Sequence, residues 1–356
     1  MKKDEITIIK PFDAHVHLRS GDLLKAVISC TTNNFSNAVV MGNLLDPVDD
    51  LNKALLYRQE IMSNVPAGHN FKPLMSVMLN KNSSPEKIEE LAGIVQILKF
   101  IPGATSTNSE AGISFFDLCD FREAEDGKYS KVLEAAEAAN MVFSIHAELI
   151  NDAFGNPIPE EHREFSALPF VKRIIAKFPK LKIVIEHVST SEACRLVEEA
   201  PDNVVATVTL HHLLLTDQDV YDDSGNIKNI FNYCKPVAKR ARDLSVIRES
   251  VFSGNKKFFF GSDSAPHLIS TKLEKGAAGI FTAPIALQKL TEIFADAGHS
   301  EMLENFVSIY GREFYGLPIP EEKVTLIRER HKYPEEIGGV KILGLTANEL
   351  EWKRKI

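Results

Sequence analysis

The chain is 356 residues long, with 44% hydrophobic and 25% charged side chains, a balance that supports a packed core and excludes wholesale disorder. Its 49 carboxylates against 41 lysines and arginines leave a formal net charge of −8. That excludes a general nucleic-acid binder with a basic face, but not a small anionic substrate held by a few local cations.

Short, continuous apolar runs rich in Val, Ile and Phe predict strands at 6–12, 37–41, 72–78, 95–101, 141–145, 182–185, 204–209 and 257–260. Helical patterns lie between them at 84–92, where Ser84 can cap and Pro85 takes the first helical position, and at 161–178, 191–199 and 238–252. Eight strands alternating with helices predict an α/β fold, a single (β/α)8 TIM barrel. An open, doubly wound sheet would call for a glycine-rich phosphate turn after the first strand, and none is present. Residues 103–112, GATSTNSEAG, read as a mobile loop and a candidate lid. From Pro318 onward the chain is more charged and fits the barrel pattern poorly, so 317–356 read as a C-terminal segment appended to one barrel domain spanning 1–356.

No apolar run reaches the ~18 residues of a membrane span, and the N-terminus lacks the long apolar core of a secretory signal. Cys30, Cys119, Cys194 and Cys234 form no C-x-x-C pair. They read as reduced, buried small side chains of a cytoplasmic protein.

Polar residues terminate the apolar runs. His15 and His17, in D-A-H-V-H, follow the first predicted strand, and two residues apart on an extended chain they face one way. Asn43 follows the second strand, Lys99 ends the fourth, His146 the fifth, and His187 and Asp263 follow the sixth and eighth. A lone strand-end histidine is usually structural. Four, with an aspartate and a lysine, at the end of a barrel where active sites form, suggest a catalytic metal centre. Nitrogen and oxygen donors without a thiolate suit zinc in an open, catalytic site. Lys99, in V-Q-I-L-K-F-I-P, needs its own account, since a buried ammonium is costly. It can be an ion-pair partner, a Schiff-base amine, or an amine that takes up carbon dioxide to give a metal-bridging carbamate. Its company favours the last.

The runs D-A-H-V-H-L-R (13–19), A-V-V-M-G-N-L (38–44), V-P-A-G-H-N-F-K-P-L-M (65–75), L-K-F-I-P (98–102), S-T-N-S (106–109), I-E-H-V-S-T (185–190) and G-S-D-S-A-P-H (261–267) resemble the amidohydrolase superfamily. More narrowly, the chain resembles the class II dihydroorotase family of pyrimidine synthesis. The resemblance implies two zinc ions, one on His15, His17 and Asp263 and the other on His146 and His187. Carboxylated Lys99 and a nucleophilic hydroxide would bridge them. It implies reversible closure of N-carbamoyl-L-aspartate to L-dihydroorotate, with Asp263 as general acid and base. Arg19, Asn43 and His267 would grip the substrate carboxylate, Ala278 would add a backbone contact, and Ser106–Thr107 would form a closing lid. It also implies a homodimer.

Three positions depart from the family pattern. Ser106-Thr107 stands for Thr-Thr, Ile101 for a tyrosine, and Lys235 for a leucine that binds substrate through its main chain. His69, His162, His211, His212, His299 and His331 match no ligand role and read as structural or exposed.

Overall fold

A computed structural model describes residues 4–103, 105–106, 108–120, 127–343 and 349–355. Among the described residues thirteen strands run in chain order. After β1 (Glu5–Ile9) come β2 (Phe12–Val16), β3 (Asn37–Val40), β4 (Lys72–Met78), β5 (Ile97–Phe100), β6 (Val142–Ile145), β7 (Lys182–Ile185), β8 (Val204–Val208) and β9 (Phe258–Phe260). The chain ends with β10 (Lys323–Lys332), β11 (Glu336–Ile337), β12 (Val340–Lys341) and β13 (Glu349–Arg354). Strands β2 to β9 form one parallel sheet in sequence order, with helices on the crossovers, as in a (β/α)8 barrel.

The ring closes without a regular ladder between β2 and β9. Val16 bridges to Ser264, His17 N donates to Ser264 O (3.1 Å), and Asp263 N donates to His15 O (2.8 Å). The buried Asp13 carboxylate stitches the seam, accepting from Ser262 N (2.8 Å), Ser262 Oγ (2.6 Å) and His15 N (3.1 Å).

Each barrel strand sends apolar side chains to one inner cluster: Phe12 and Ala14, Val39 and Met41, Leu74, Ile97, Val142, Val184, Val205 and Phe259. Side chains alternate along a strand. The residues two and four places later therefore also point inward, one and two layers higher: Lys99 above Ile97, Ser144 and then His146 above Val142, Glu186 above Val184, Thr207 above Val205. Gly261 and Asp263 continue the series from Phe259. Gly261 marks a close approach, since a Cβ there would lie 2.9 Å from the Thr207 side chain and 3.0 Å from His15 Cβ. β2 reaches the same end by another route. Its register against β3 slips from Asp13–Ala38 to Val16–Val40, one extra residue on β2. This bulge moves the inward face from Phe12 and Ala14 to His15 and His17.

The predicted strand at 6–12 is two strands. Pro11, with no N–H to donate, separates them. β1 pairs with β10 in an antiparallel sheet completed by β13, and the first barrel strand starts at Phe12. His15 therefore lies inside β2 rather than after it. In the C-terminal segment, Trp352 of β13 is fully buried, and Leu343 N donates to Phe281 O (3.0 Å). Ser84 caps the helix Pro85–Leu91 by accepting from Lys87 N, and Thr190 caps Ser191–Glu199 by accepting from Ala193 N. All four cysteines are free and buried.

Candidate active site

At the C-terminal end of the barrel lies a narrow cleft lined by His15, His17, Arg19, Asn43, Lys99, Ser106, His146, His187, Lys235, Asp263 and Ala278. Ile101 and Gly279 also reach it. His267 stands behind the rim, in contact with Arg19 and Ala278. Thr107 lies outside the described residues.

The floor is made of imidazoles and one carboxylate. His15 Nε2 lies 3.3 Å from His17 Nε2 and 3.3 Å from Asp263 Oδ1, which is 3.0 Å from His17 Nε2. Zinc–nitrogen bonds near 2.0–2.1 Å in a tetrahedron put donors about 3.3 Å apart, so these three atoms are spaced to share one ion. A second pair stands opposite, with His146 Nδ1 3.1 Å from His187 Nε2.

Buried carboxylates brace the rings from behind. Glu186 Oε2 accepts from His15 Nδ1 (2.8 Å), and Glu148 Oε2 pairs with His146 Nε2 (2.8 Å). Each thereby fixes a tautomer that leaves the other nitrogen's lone pair facing the cleft. Burial alone would raise the Glu186 carboxyl. The neighbouring His15 and Lys99, with hydrogen bonds from His15 and Ser144, outweigh it and hold the group at about 2. Burial pushes His15, His17 and His187 below the ordinary histidine range, and Arg19 adds to the effect at His17. A metal ligand must be neutral imidazole, the form that burial favours in these rings. The backbone takes part too: His187 (φ 42°) and Asp263 (φ 43°) adopt left-handed conformations that side chains other than glycine seldom hold.

Lys99 points into this floor, 1% exposed, and its Nζ has no hydrogen-bond partner among the described residues. Burial pulls its pKa below the usual lysine value, which favours the uncharged amine. His187 Nδ1 is likewise unpartnered. Such orphaned buried polar atoms beside converging imidazoles are what metal ligation and a bridging group on Lys99 would satisfy. The donor set thus fits metal ligation, with His15, His17 and Asp263 grouped closely enough to share one ion.

The wall carries cations. Arg19, itself at φ 59°, donates from Nε to Pro266 O (3.0 Å), while its carbonyl accepts from Tyr57 OH (2.7 Å). His267 Nε2 lies 3.0 Å from both the Arg19 guanidinium and Ala278 O. One ring nitrogen cannot accept from the first and donate to the second, so the contacts compete. Burial, then Arg19, push His267 down to about 3. Asn43 hydrogen-bonds His17, and its carbonyl accepts from Asn108 Nδ2 (3.4 Å). The Lys235 ammonium is drawn toward Glu160 (3.4 Å), which also accepts from the hydroxyls of Tyr221 (2.8 Å) and Tyr233 (2.9 Å).

His211 and His212 are buried behind the floor rather than exposed. Both His212 nitrogens are engaged, by Thr209 Oγ1 (2.9 Å) and Pro236 O (3.0 Å). Residue patterns did not single out Glu186, Glu148 or Asp13. The one available signal was an acid adjoining or two places from a ligand histidine, which solvent-facing acids share.

The chain is 40% identical over 333 residues to the dihydroorotase of Azoarcus sp. (strain BH72), covering 92% of each. Among solved structures, a dihydroorotase from Campylobacter jejuni superposes with a TM-score of 0.87 at 31% identity, covering 100% of this chain and 99% of that one. The dihydroorotase of Saccharomyces cerevisiae in complex with 5-fluoroorotic acid gives 0.88 at 29% identity, covering 99% of each. No family model matches.

Proposed function

The chain belongs to the dihydroorotase family of the amidohydrolase superfamily, and on that premise we propose that its cleft interconverts N-carbamoyl-L-aspartate and L-dihydroorotate in pyrimidine synthesis. The observation that carries the reading is the convergence, in one cleft, of a metal-ready floor, an unpartnered Lys99 and the Arg19 guanidinium.

His15, His17 and Asp263 would hold one divalent cation and His146 and His187 a second, with Lys99 between them as its carbamate. The nitrogen-rich, thiolate-free donors favour zinc. When bound, the cations supply Lewis acidity at the amide carbonyl and lower the pKa of water. Lys99 is suited to carbamate formation because burial lowers its pKa and so favours the uncharged amine, whose lone pair adds to carbon dioxide with loss of one proton to solvent.

Arg19 binds the carboxylate common to both substrates with two parallel N–H donors. Asn43 and His267 complete that grip, and the main chain at Lys235 and Ala278 orients the amide. Asp263 moves the proton. Its Oδ1 faces His15 and His17, so Oδ2 takes the proton of the attacking water and passes it to the leaving ring nitrogen. Ser106, on the rim, belongs to the segment that covers bound substrate, with Thr107 the other member of that pair.

A cytoplasmic, homodimeric enzyme completes the reading. It is supported by the free cysteines and by the family resemblance. No helix among the described residues is long and apolar enough to cross a membrane. The test is an assay of purified protein for both directions of the reaction, with metal counted per chain. Turnover with two metals supports the reading, and two metals without turnover on either substrate overturn it.

A further inference from the structure

Two backbone segments of the wall are carried by no barrel strand. Tyr233, Cys234 and Lys235 lie in the long connection between β8 and β9, and Ala278 and Gly279 lie beyond β9. They meet where Gly279 N donates to Tyr233 O (3.0 Å). Lys272, on the helix Ile269–Lys275, reaches under this junction. Its side chain is buried, and Nζ donates to Tyr233 O (3.3 Å) and to Gly279 O.

No carboxylate is among the titratable groups that reach it; those are Arg19 and the Cys234 thiol, which burial keeps protonated. An ammonium buried without a counter-ion is unfavourable, and a methionine would fill the same volume without that cost. Two carbonyl acceptors return part of it, because hydrogen bonds from a charged donor are stronger than neutral ones. What they also secure is the relative placement of two main-chain segments that no β-ladder holds.

We propose that Lys272 is a positioning residue for substrate binding, clamping the Tyr233–Lys235 and Ala278–Gly279 segments so that their main-chain groups face the substrate. It does not line the cleft and touches no reacting atom. Its charge acts in the same direction, since it lies close enough to Arg19 and His267 to perturb both. An anion gripped there feels two cations, Arg19 and Lys272, rather than one.

The inference rests on the cleft being the carbamoyl aspartate and dihydroorotate site. The test uses the full-length, metal-loaded protein with Lys272→Met, Lys272→Gln and Lys272→Arg. Lys272→Met should raise KM for dihydroorotate about tenfold through the lost charged donor, with kcat changed less than KM and metal content unchanged. Lys272→Arg, which keeps donors and charge, should recover most of the affinity. A KM for Lys272→Met within about twofold of wild type, below the effect of one lost hydrogen bond, overturns the proposal. A parallel loss of metal does the same.

If Lys272→Met fails to fold, Lys272→Gln, which keeps one donor without the charge, is read in the same way. Hydrogen exchange at the Gly279 amide supplies a substrate-free reading. It should quicken in either variant while the Asp263 amide at the barrel seam does not, and unchanged exchange overturns the clamp. Absence of turnover in wild type would break the assignment of substrate alone, since the exchange experiment needs none.

Discussion

The floor of the cleft and its wall are built by different means. Floor residues occupy fixed places at or just beyond the ends of barrel strands, where alternation of side chains and the β2 bulge aim them inward. Buried acids then lock their rings, as Glu186 does for His15 and Glu148 for His146. The wall has no ladder. Arg19 is held through Pro266 O, His267 through Ala278 O, and the Tyr233–Gly279 junction through Lys272, all of them side chains reaching for carbonyls. A floor held by many cooperative bonds suits metal ligation, which tolerates little displacement. A wall held by a few single bonds can adjust when an anion arrives. Damage to the floor should therefore cost metal and turnover, and damage to the wall should cost substrate affinity.

The largest effects belong to the floor. Lys99→Ala should lose both metal and activity, with partial recovery on adding short carboxylic acids that occupy the vacated space. Full metal occupancy in the variant, with no added carboxylate, would break the bridging role. Asp263→Asn should lower kcat by roughly 10²–10⁴, the usual contribution of a placed proton carrier, while near-normal kcat would remove that role. In the wall, Arg19→Ala should raise KM by roughly a hundredfold, the loss expected for charged hydrogen bonds to a carboxylate. Its metal content should stay that of wild type, so a metal-depleted Arg19→Ala would erase the distinction between the two regions. Glu186→Gln sharpens it from below. The bond to His15 weakens without removal of a ligand, and metal affinity should drop about 10- to 100-fold, as measured by competition with a chromogenic chelator.

The two regions also differ in how far the sequence reveals them. The floor is legible because it breaks a pattern. A histidine or lysine that ends an apolar run, as His146 and Lys99 do, is conspicuous, and barrel topology brings such ends together. His15 and His17 reach the cleft by a route that the residue pattern does not reveal. Pro11 splits the first apolar run, His15 is inside β2, and a bulge rather than simple alternation from Phe12 turns it inward. The left-handed backbone at His187 and Asp263 has no sequence signal, because neither residue is glycine. The wall breaks no pattern. Lys272, in S-T-K-L-E-K-G, reads as an ordinary surface lysine on a short helix, and Lys235 gave no hint that Glu160 would draw its ammonium aside. Supporting acids such as Glu148 and Glu164 look like solvated charges until the tertiary structure buries them.

Glu164 allows the smallest and most selective disturbance of the floor. It lies on the helix Arg163–Lys177, fully buried, and accepts from Ser189 N (3.0 Å) and from Thr190 Oγ1, in the turn that follows His187. Burial raises its pKa from 4.5 to about 7, against the opposing pull of Lys239 and these hydrogen bonds. A carboxyl whose folded-state pKa is raised favours the folded state in its neutral form. Its contribution is complete below about pH 4.5 and is lost as pH rises through about 7. That amounts to roughly 3 kcal/mol at most. Glu164→Gln keeps the shape and a carbonyl acceptor but cannot ionise. Metal-free protein should be used, so that ligand protonation is shared by both forms. Between pH 5 and pH 8, wild-type unfolding free energy should then fall relative to the variant, which becomes the more stable of the two at the upper end. Parallel curves would mean that Glu164 carries the same charge in the folded and unfolded states across this range, and the turn carrying His187 would then rest on its backbone and on the Thr207 hydroxyl that accepts from His187 N (2.7 Å).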